Sequence, residues 1–231
     1  MLIKGFPLPE FDFEEEEDSA SECEEPPILP ILEDSESINR ISSETLVSVL
    51  DNKYSNKYDK LFIIDCRFWY EYDGGHIKGA LNINNPQKLI EKFFENNIYK
   101  NSLIVFHCEF SHNRGPQIAE LFRGYDRRIH KESYPSLTYN QVYILDKGYR
   151  EFYSKYSNYC VGGFVSMVDK DNQLNGNLSS ATNKFNEGIE DFEKNYKGII
   201  KDIPNVLTSP AGYPLRSPMS NKMLALHLSL D

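Results

Sequence analysis

Short, continuously apolar segments alternate with amphipathic segments through the middle of the chain. The apolar segments predict four strands: LFIID (61–65), GALNI (79–83), SLIVFH (102–107) and VYILD (142–146). The amphipathic segments predict four helices: SSETLVSVL (42–50), PQKLIEKFFENN (86–97), GPQIAELFRGYDRR (115–128) and GYREFYSKYS (148–157). Apolar strands separated by helices are typical of a parallel sheet that is covered on both faces. The pattern therefore predicts an α/β domain.

A different pattern follows this domain. Apolar residues recur at helical spacing at six positions: Phe185, Ile189, Phe192, Tyr196, Ile199 and Ile203. This spacing predicts an amphipathic helix over residues 182–203, within a C-terminal extension that spans 170–231. We expect the helix to pack on the domain's own surface rather than to bind a partner.

Charge separates the first part of the chain from the rest. Ten acidic residues and no basic residue lie between Glu10 and Glu25, which equals the formal net charge of -10 of the whole chain. Such a segment repels itself and cannot form a core, so residues 1–37 are predicted to be a disordered tail and 38–169 the folded domain. Since the remainder is close to neutral, nucleic acid is not an expected partner.

Cysteine usage and hydropathy limit the compartment. The four cysteines are far apart, with no CxxC pair and no clustered histidines, and no secretory signal precedes them: Cys23, Cys66, Cys108 and Cys160. This distribution favours a reducing compartment, so we expect the protein in the nucleus and cytoplasm. No apolar run approaches the roughly 18 residues that a membrane-spanning helix needs, so no membrane is expected as a partner.

The segment FHCEFSHNRGP (106–116) carries the candidate chemistry. It places Cys108 after a predicted strand and Arg114 before a predicted helix, with five residues between them. A loop this short must turn backbone N–H groups inward, which creates an anion-binding site at the start of the helix. A buried, inert cysteine is the alternative, but the polar residues that follow Cys108 would suit a buried strand end poorly.

Both charges at this loop favour a reactive cysteine. The helix N-terminus and the Arg114 guanidinium stabilise the thiolate form of Cys108, and Arg114 can grip two phosphate oxygens. Pro116 suits the first helical turn, where no N–H is needed. The loop therefore predicts a nucleophile that forms a cysteinyl-phosphate, without any metal or cofactor.

Three segments together resemble one family. FHCEFSHNRGP, IIDCRFWYEYDGGHIKGALNI upstream and YPSLTYNQVYILDKGYREFY downstream resemble the catalytic domain of the M-phase inducer phosphatases over about 38–169. The resemblance implies a rhodanese-like α/β domain, with a central parallel sheet flanked by helices. It also implies a dual-specificity phosphatase that removes inhibitory phosphates from adjacent threonine and tyrosine residues of a cyclin-dependent kinase. The partner would be the cyclin-dependent kinase–cyclin complex, and a monomer is expected.

The same resemblance assigns roles to single residues. Cys108 and Arg114 match the nucleophile and the phosphate-binding arginine, and six amides match the phosphate cradle: Glu109, Phe110, Ser111, His112, Asn113 and Arg114. Cys66 matches a cysteine that can capture the oxidised nucleophile in a disulfide. Two basic positions of the predicted helix 115–128, Arg123 and Arg127, match those that dock the kinase substrate. We interpret Asp65, Glu71 and the Gly74-Gly75-His76 turn as structural.

The chain departs from the family pattern inside the loop. Asn113 stands where the family usually has a glutamate, and His112 replaces a small residue. The general acid could therefore be Glu109, His112 or the substrate itself, and the sequence favours Glu109.

Three other functions fit parts of the pattern. A rhodanese-type sulfurtransferase would typically have a loop one residue shorter, and a classical tyrosine phosphatase would usually have Ser or Thr in place of Gly115. A catalytically silent phosphoprotein-binding module would not need both Cys108 and Arg114. The sequence identifies neither the particular kinase nor the role of the tails.

Overall fold

The computed structural model describes residues 25–33 and 37–196. The strands are β1 (Asn39–Ile41), β2 (Lys60–Asp65), β3 (Gly75–Ile77), β4 (Leu81–Asn82), β5 (Ser102–His107), β6 (Gln141–Leu145) and β7 (Cys160–Gly162). The α-helices are α1 (Ser43–Leu50), α2 (Trp69–Gly74), α3 (Pro86–Ile90), α4 (Arg114–Ile129), α5 (Gly148–Tyr156), α6 (Lys170–Leu174) and α7 (Asn177–Asn195). A π-helical turn (Glu91–Glu95) continues α3, and a 3₁₀ turn (Ser157–Tyr159) follows α5. No helix among these is long and apolar enough to cross a membrane.

A five-stranded parallel sheet forms the centre of the domain, in the order β1-β6-β5-β2-β4, and β3 and β7 pair separately as antiparallel strands. All six residues of β5 are buried. Its side chains alternate between two apolar clusters, with Ile104 and Phe106 in one and Leu103 and Val105 in the other. Both faces of the sheet are therefore covered, which confirms the predicted α/β fold.

Helix α7 belongs to the same core. Ala181, Phe185, Ile189 and Phe192 are buried in the cluster that contains Phe106 of β5. This confirms that the amphipathic helix packs on its own domain. The helix begins five residues earlier than predicted, because Asn177 already follows the turn at Gly176, and the predicted Ile199 and Ile203 lie outside the described residues.

The start of the described chain differs from the expectation of a disordered tail. Within 25–33, the Ile28 N–H lies 3.0 Å from both the Gln141 Oε1 and the Tyr143 hydroxyl oxygen, and Gln141 donates to the Pro26 carbonyl. Leu29 is buried in the second cluster. These contacts fasten the segment beside β6 because they satisfy its backbone groups. Residues 1–24 and 34–36, with the rest of the acidic run, lie outside the described residues, so the boundaries of the three predicted regions stay a prediction.

The register of the central strands positions the candidate loop. Asp65 of β2 pairs with His107 of β5, and the Cys66 N–H donates to the His107 carbonyl over 2.8 Å. Cys66 and Cys108 are therefore the first residues after two neighbouring parallel strands, at the same edge of the sheet.

Candidate active site

The loop between β5 and α4 is built as the sequence predicts. Cys108 directly follows β5 and is almost fully buried, while α4 begins at Arg114, one residue before the predicted start. Ser111 adopts a positive φ of 54°, which reverses the chain between these elements. Pro116 lies in the first turn of α4, as expected.

The N-terminus of α5 fixes the orientation of the loop amides. The N–H groups of Tyr149 and Arg150 donate to the carbonyls of Cys108 and Glu109 over 2.9 and 3.0 Å. Because the N–H and C=O of a trans peptide point in opposite directions, the N–H groups of Glu109 and Phe110 point away from α5. Loop amides that point this way can bind an anion.

Gly148 makes this contact possible. Its φ is +63°, and a Cβ atom placed there would lie 2.5 Å from the Cys108 carbonyl oxygen. Any side chain at position 148 would separate α5 from the loop. Sequence reasoning assigned no role to this residue, since its importance depends on a contact with a distant part of the chain.

Arg114 is held by a buried carboxylate. Its guanidinium contacts both oxygens of Glu71 in a bidentate arrangement, with Nη2 3.0 Å from Oε1 and a shorter contact between Nη1 and Oε2. Glu71 is fully buried and also accepts the Phe68 N–H over 2.9 Å. Burial opposes the charge of Arg114, but the Glu71 carboxylate outweighs it and raises the pKa of Arg114. The guanidinium therefore stays cationic at the start of α4.

An aromatic ring supports the guanidinium on another side. The Arg114 Cζ atom lies 4.5 Å from the centroid of the Phe68 ring. Phe68 and Glu71 both belong to the segment 68–74, which contains α2. The interpretation of Glu71 as a structural charge partner is therefore confirmed, and its partner is the proposed phosphate-binding arginine itself.

A second buried ion pair lies beneath the loop. Arg67 Nη2 contacts Asp65 Oδ2 at 2.6 Å and donates to the Gly75 carbonyl over 2.7 Å, and its Cζ lies 3.9 Å from the centroid of the Tyr149 ring. Asp65 was predicted to be structural, and the ion pair confirms this. Arg67 was missed, although it stands two residues from Asp65. His107 of β5 pairs with Asp65 in the sheet register. Burial lowers the pKa of His107, so its imidazole is neutral at pH 7.

Cys66 lies next to the loop as a neutral thiol. It is fully buried, and burial raises the pKa of its thiol well above the usual value, with the nearby Cys108 and Asp65 adding to the effect. Both cysteines are free thiols and belong to the same apolar cluster. The position is compatible with a redox partner, a role that stays a prediction.

The Glu109 side chain, predicted as the general acid, contacts another segment of the fold. Its carboxylate is buried, with Oε1 accepting the Ser166 hydroxyl and Oε2 accepting the Met167 N–H, each over 3.1 Å. Both carboxylate oxygens are therefore already engaged in hydrogen bonds with another part of the fold. The contacts join the loop to the segment 163–168, which leads into α6.

The two residues that depart from the family pattern lie at the surface. His112 and Asn113 are both exposed, and the His112 ring stacks on Phe110 with a centroid distance of 6.3 Å. Neither residue is part of the buried support of Arg114. The change from a glutamate to Asn113 therefore alters the charge at the mouth of the loop and leaves its foundation unaffected.

The predicted docking residues do not share an exposed face. Arg123 is buried, and it donates to the carbonyls of Tyr139 and Asn140 over 2.6 and 3.2 Å. It therefore anchors the segment before β6, while Arg127 is half-buried. The four-residue spacing alone could not show that the first arginine turns inward. Docking at these positions stays a prediction.

Within the described ranges, no group of three His, Cys, Asp or Glu side chains could hold a metal ion.

The buried ion pair of Glu71 and Arg114 yields a stability prediction. Glu71→Gln should lower the free energy of unfolding by about 3–5 kcal/mol, because it leaves the Arg114 charge buried without a counterion. Asp73→Asn removes the same charge from an exposed position of the same helix and should change stability by less than about 0.5 kcal/mol. Urea unfolding of both variants provides the measurement. Equal effects would contradict a supporting role for the pair.

Part of the described domain matches a known family. Residues 46–155 match the family described as "Rhodanese-like domain". A solved arsenic–antimony reductase from Leishmania major is similar at 27% identity and a TM-score of 0.43, covering 61% of this chain and 97% of that one.

Curated relatives share one name. An M-phase inducer phosphatase from Schizosaccharomyces pombe is 45% identical over 134 residues, which is 58% of this chain and 22% of that protein. One from Emericella nidulans is 34% identical over 194 residues, 84% of this chain and 34% of that protein. The chain therefore matches between about a fifth and a third of the length of these relatives. Residues 46–155 form a rhodanese-like domain, and the resemblance of this chain to the M-phase inducer phosphatases is confirmed.

Proposed function

We propose that this protein is a cysteine-dependent dual-specificity protein phosphatase. The observation that carries the proposal is the fixed Arg114 guanidinium, paired with Glu71 at the helical end of the five-residue loop that follows Cys108. A cation held at the start of a helix, next to loop amides that point away from α5, suits a phosphate group. The names of the relatives support the same reaction.

The reaction follows from these positions. A phosphate monoester binds to the amides of residues 109–114 and to Arg114, with its phosphorus atom facing the Cys108 sulfur. The thiolate attacks phosphorus, a sulfur–phosphorus bond forms, and the bond to the leaving oxygen breaks as that oxygen gains a proton. Water then attacks the cysteinyl-phosphate, which releases inorganic phosphate and restores the thiolate. Arg114 stabilises the equatorial oxygens in both steps because charge accumulates on them.

The substrate is proposed from the family resemblance. We infer that the enzyme removes inhibitory phosphates from adjacent threonine and tyrosine residues of a cyclin-dependent kinase bound to cyclin, and so promotes entry into mitosis. Arg127 would contribute to docking that kinase, with the buried Arg123 holding the segment before β6 next to it, and Cys66 would protect an oxidised Cys108. The protein would act as a monomer in the nucleus and cytoplasm.

A comparison of three substrates tests the reaction class. Wild-type protein should hydrolyse an aryl phosphate and a doubly phosphorylated cyclin-dependent kinase, and Cys108→Ser should abolish both activities because it removes the nucleophile. Cys160→Ser makes the same change at a free cysteine of β7, outside the loop, and should leave both activities in place. Cysteine-dependent turnover of thiosulfate without phosphatase activity would instead establish a sulfurtransferase.

The proton donor needs a separate proposal. The buried contacts of Glu109 with Ser166 and Met167 support a positioning role, rather than the acid role that the sequence favours. His112, exposed at the mouth of the loop, and the substrate's own phosphate proton remain as donors.

Leaving-group dependence separates these roles. If Glu109 positions the loop, Glu109→Gln should lower kcat by the same factor for a nitrophenyl phosphate and for an alkyl phosphate, because neither reaction takes its proton. Ser166→Ala, which removes a partner of the carboxylate, should reproduce this uniform loss in steady-state assays. A loss confined to the alkyl phosphate, whose alkoxide is the poorer leaving group, would show that Glu109 is the acid.

A further inference from the structure

A groove of about 490 Å³ lies beside the candidate active site. Its walls come from four parts of the fold: Trp69 at the start of α2, residues 82–85 from the end of β4 to the residue before α3, Lys88 of α3, and one face of α7. The mechanism proposed above uses none of these residues. The groove is therefore a separate binding surface of the same domain.

One aromatic side chain connects the groove with the phosphate loop. Phe68 supports Arg114 on its ring, and the same ring meets Phe185 of α7 with a centroid distance of 6.4 Å. Phe185 lines the groove, and Trp69 directly follows Phe68. The groove is therefore about one aromatic ring away from the guanidinium that would hold the phosphate.

Trp69 presents an apolar surface in this groove. Its side chain is 51% exposed, although it packs edge to face on Tyr70 with a centroid distance of 5.7 Å. Tyr70 is in turn fixed by its hydroxyl, which donates to the Met167 carbonyl over 2.6 Å. An exposed indole on a fixed support is typical of residues that dominate protein recognition.

Two asparagines add oriented polar groups. The Nδ2 of Asn82 donates to the carbonyls of Asp65 and Arg67, and the Nδ2 of Asn84 donates to the Arg67 carbonyl, over 2.8 to 3.1 Å. Because a main-chain carbonyl only accepts, each amide must place its NH₂ group there, which leaves its Oδ1 as an acceptor. Fixed acceptors next to an aromatic surface suit the N–H groups of an extended peptide.

The charges and the floor of the groove restrict the ligand further. Two lysines and two acids line it, Lys88 and Lys184 with Glu187 and Asp191, so its net charge does not select an anion. At Gly188, a Cβ atom would lie 2.7 Å from the Asn85 Nδ2, so the packing of α7 on this loop fixes the floor.

We propose that this groove binds the polypeptide segment next to the phosphorylated residue of the protein substrate, with an apolar side chain of that segment on Trp69. This inference rests on the proposed phosphatase function and deepens it, because it adds a second contact that a small phosphate ester cannot make. Through this contact, close to the bond that is cleaved, the enzyme distinguishes a phosphorylated polypeptide from other phosphate monoesters.

The test compares substrates that differ only beside the phosphate. The probes are phenyl phosphate and two ten-residue peptides phosphorylated on adjacent threonine and tyrosine, one flanked by leucines and one by glycines. In the 231-residue chain, Trp69→Ala should lower kcat/KM about tenfold for the leucine peptide, mainly through KM, because the anchor is lost. It should change the values for phenyl phosphate and the glycine peptide less than about twofold, and Trp69→Phe should restore most of the loss.

Ile98→Ala is the matched control. Ile98 is 57% exposed, like Trp69, but it precedes the opposite end of β5 and should leave all three values unchanged. Equal losses of Trp69→Ala on the peptides and on phenyl phosphate would overturn the proposal, since Trp69 would then support the loop. No loss on the leucine peptide would overturn it as well.

Binding separates this inference from the proposed reaction. Calorimetry with Cys108→Ser protein should show weaker binding of the leucine peptide when Trp69→Ala is added. If the wild-type enzyme turned over none of the probes, the proposed function would fail, while the calorimetric comparison would still decide whether the groove binds peptide. Equal affinities in the two proteins would overturn the groove proposal alone.

Discussion

The ion pair of Glu71 and Arg114 is the interaction on which the candidate site depends. It joins α2 to the first residue of α4, and both partners are nearly or fully buried. A guanidinium in such a position would be costly without its carboxylate, and the bidentate geometry also fixes its direction. The remaining contacts of the loop, with α5 through main-chain bonds and with residues 166 and 167 through Glu109, complete a frame around that fixed cation.

Much of this site could be predicted from the sequence, for a clear physical reason. Strands β5 and β6 and the second half of β2 are buried and appear as continuous apolar runs, so the edge that carries Cys108 and Arg114 was predictable. Helix α2 was not predicted, because WYEYDG shows no apolar periodicity and its conformation depends on contacts across the fold. Helix α6 and the short strands β1, β3 and β7 were also missed, and GALNI contributes only two residues to the sheet.

The directions of buried charged side chains could not be predicted from the sequence either. Arg123 was expected on an exposed helical face, yet it points inward to main-chain carbonyls, and Glu109 turns to the segment after β7. Helical spacing predicts which residues share a side of a helix, but it does not tell what covers that side. The same consideration applies to α7. Its apolar spacing predicts a helix, but only the folded structure shows that this helix lies beside Trp69.

The central claim is that Cys108 becomes phosphorylated during turnover, and trapping this intermediate tests it most directly. Wild-type protein would be mixed with a phosphorylated substrate, quenched in acid within milliseconds, digested and mapped by mass spectrometry. The account predicts phosphate on the peptide that contains Cys108, and none on that peptide in Cys108→Ser protein. Rapid substrate hydrolysis without phosphate on Cys108, or with phosphate on another residue, would contradict it.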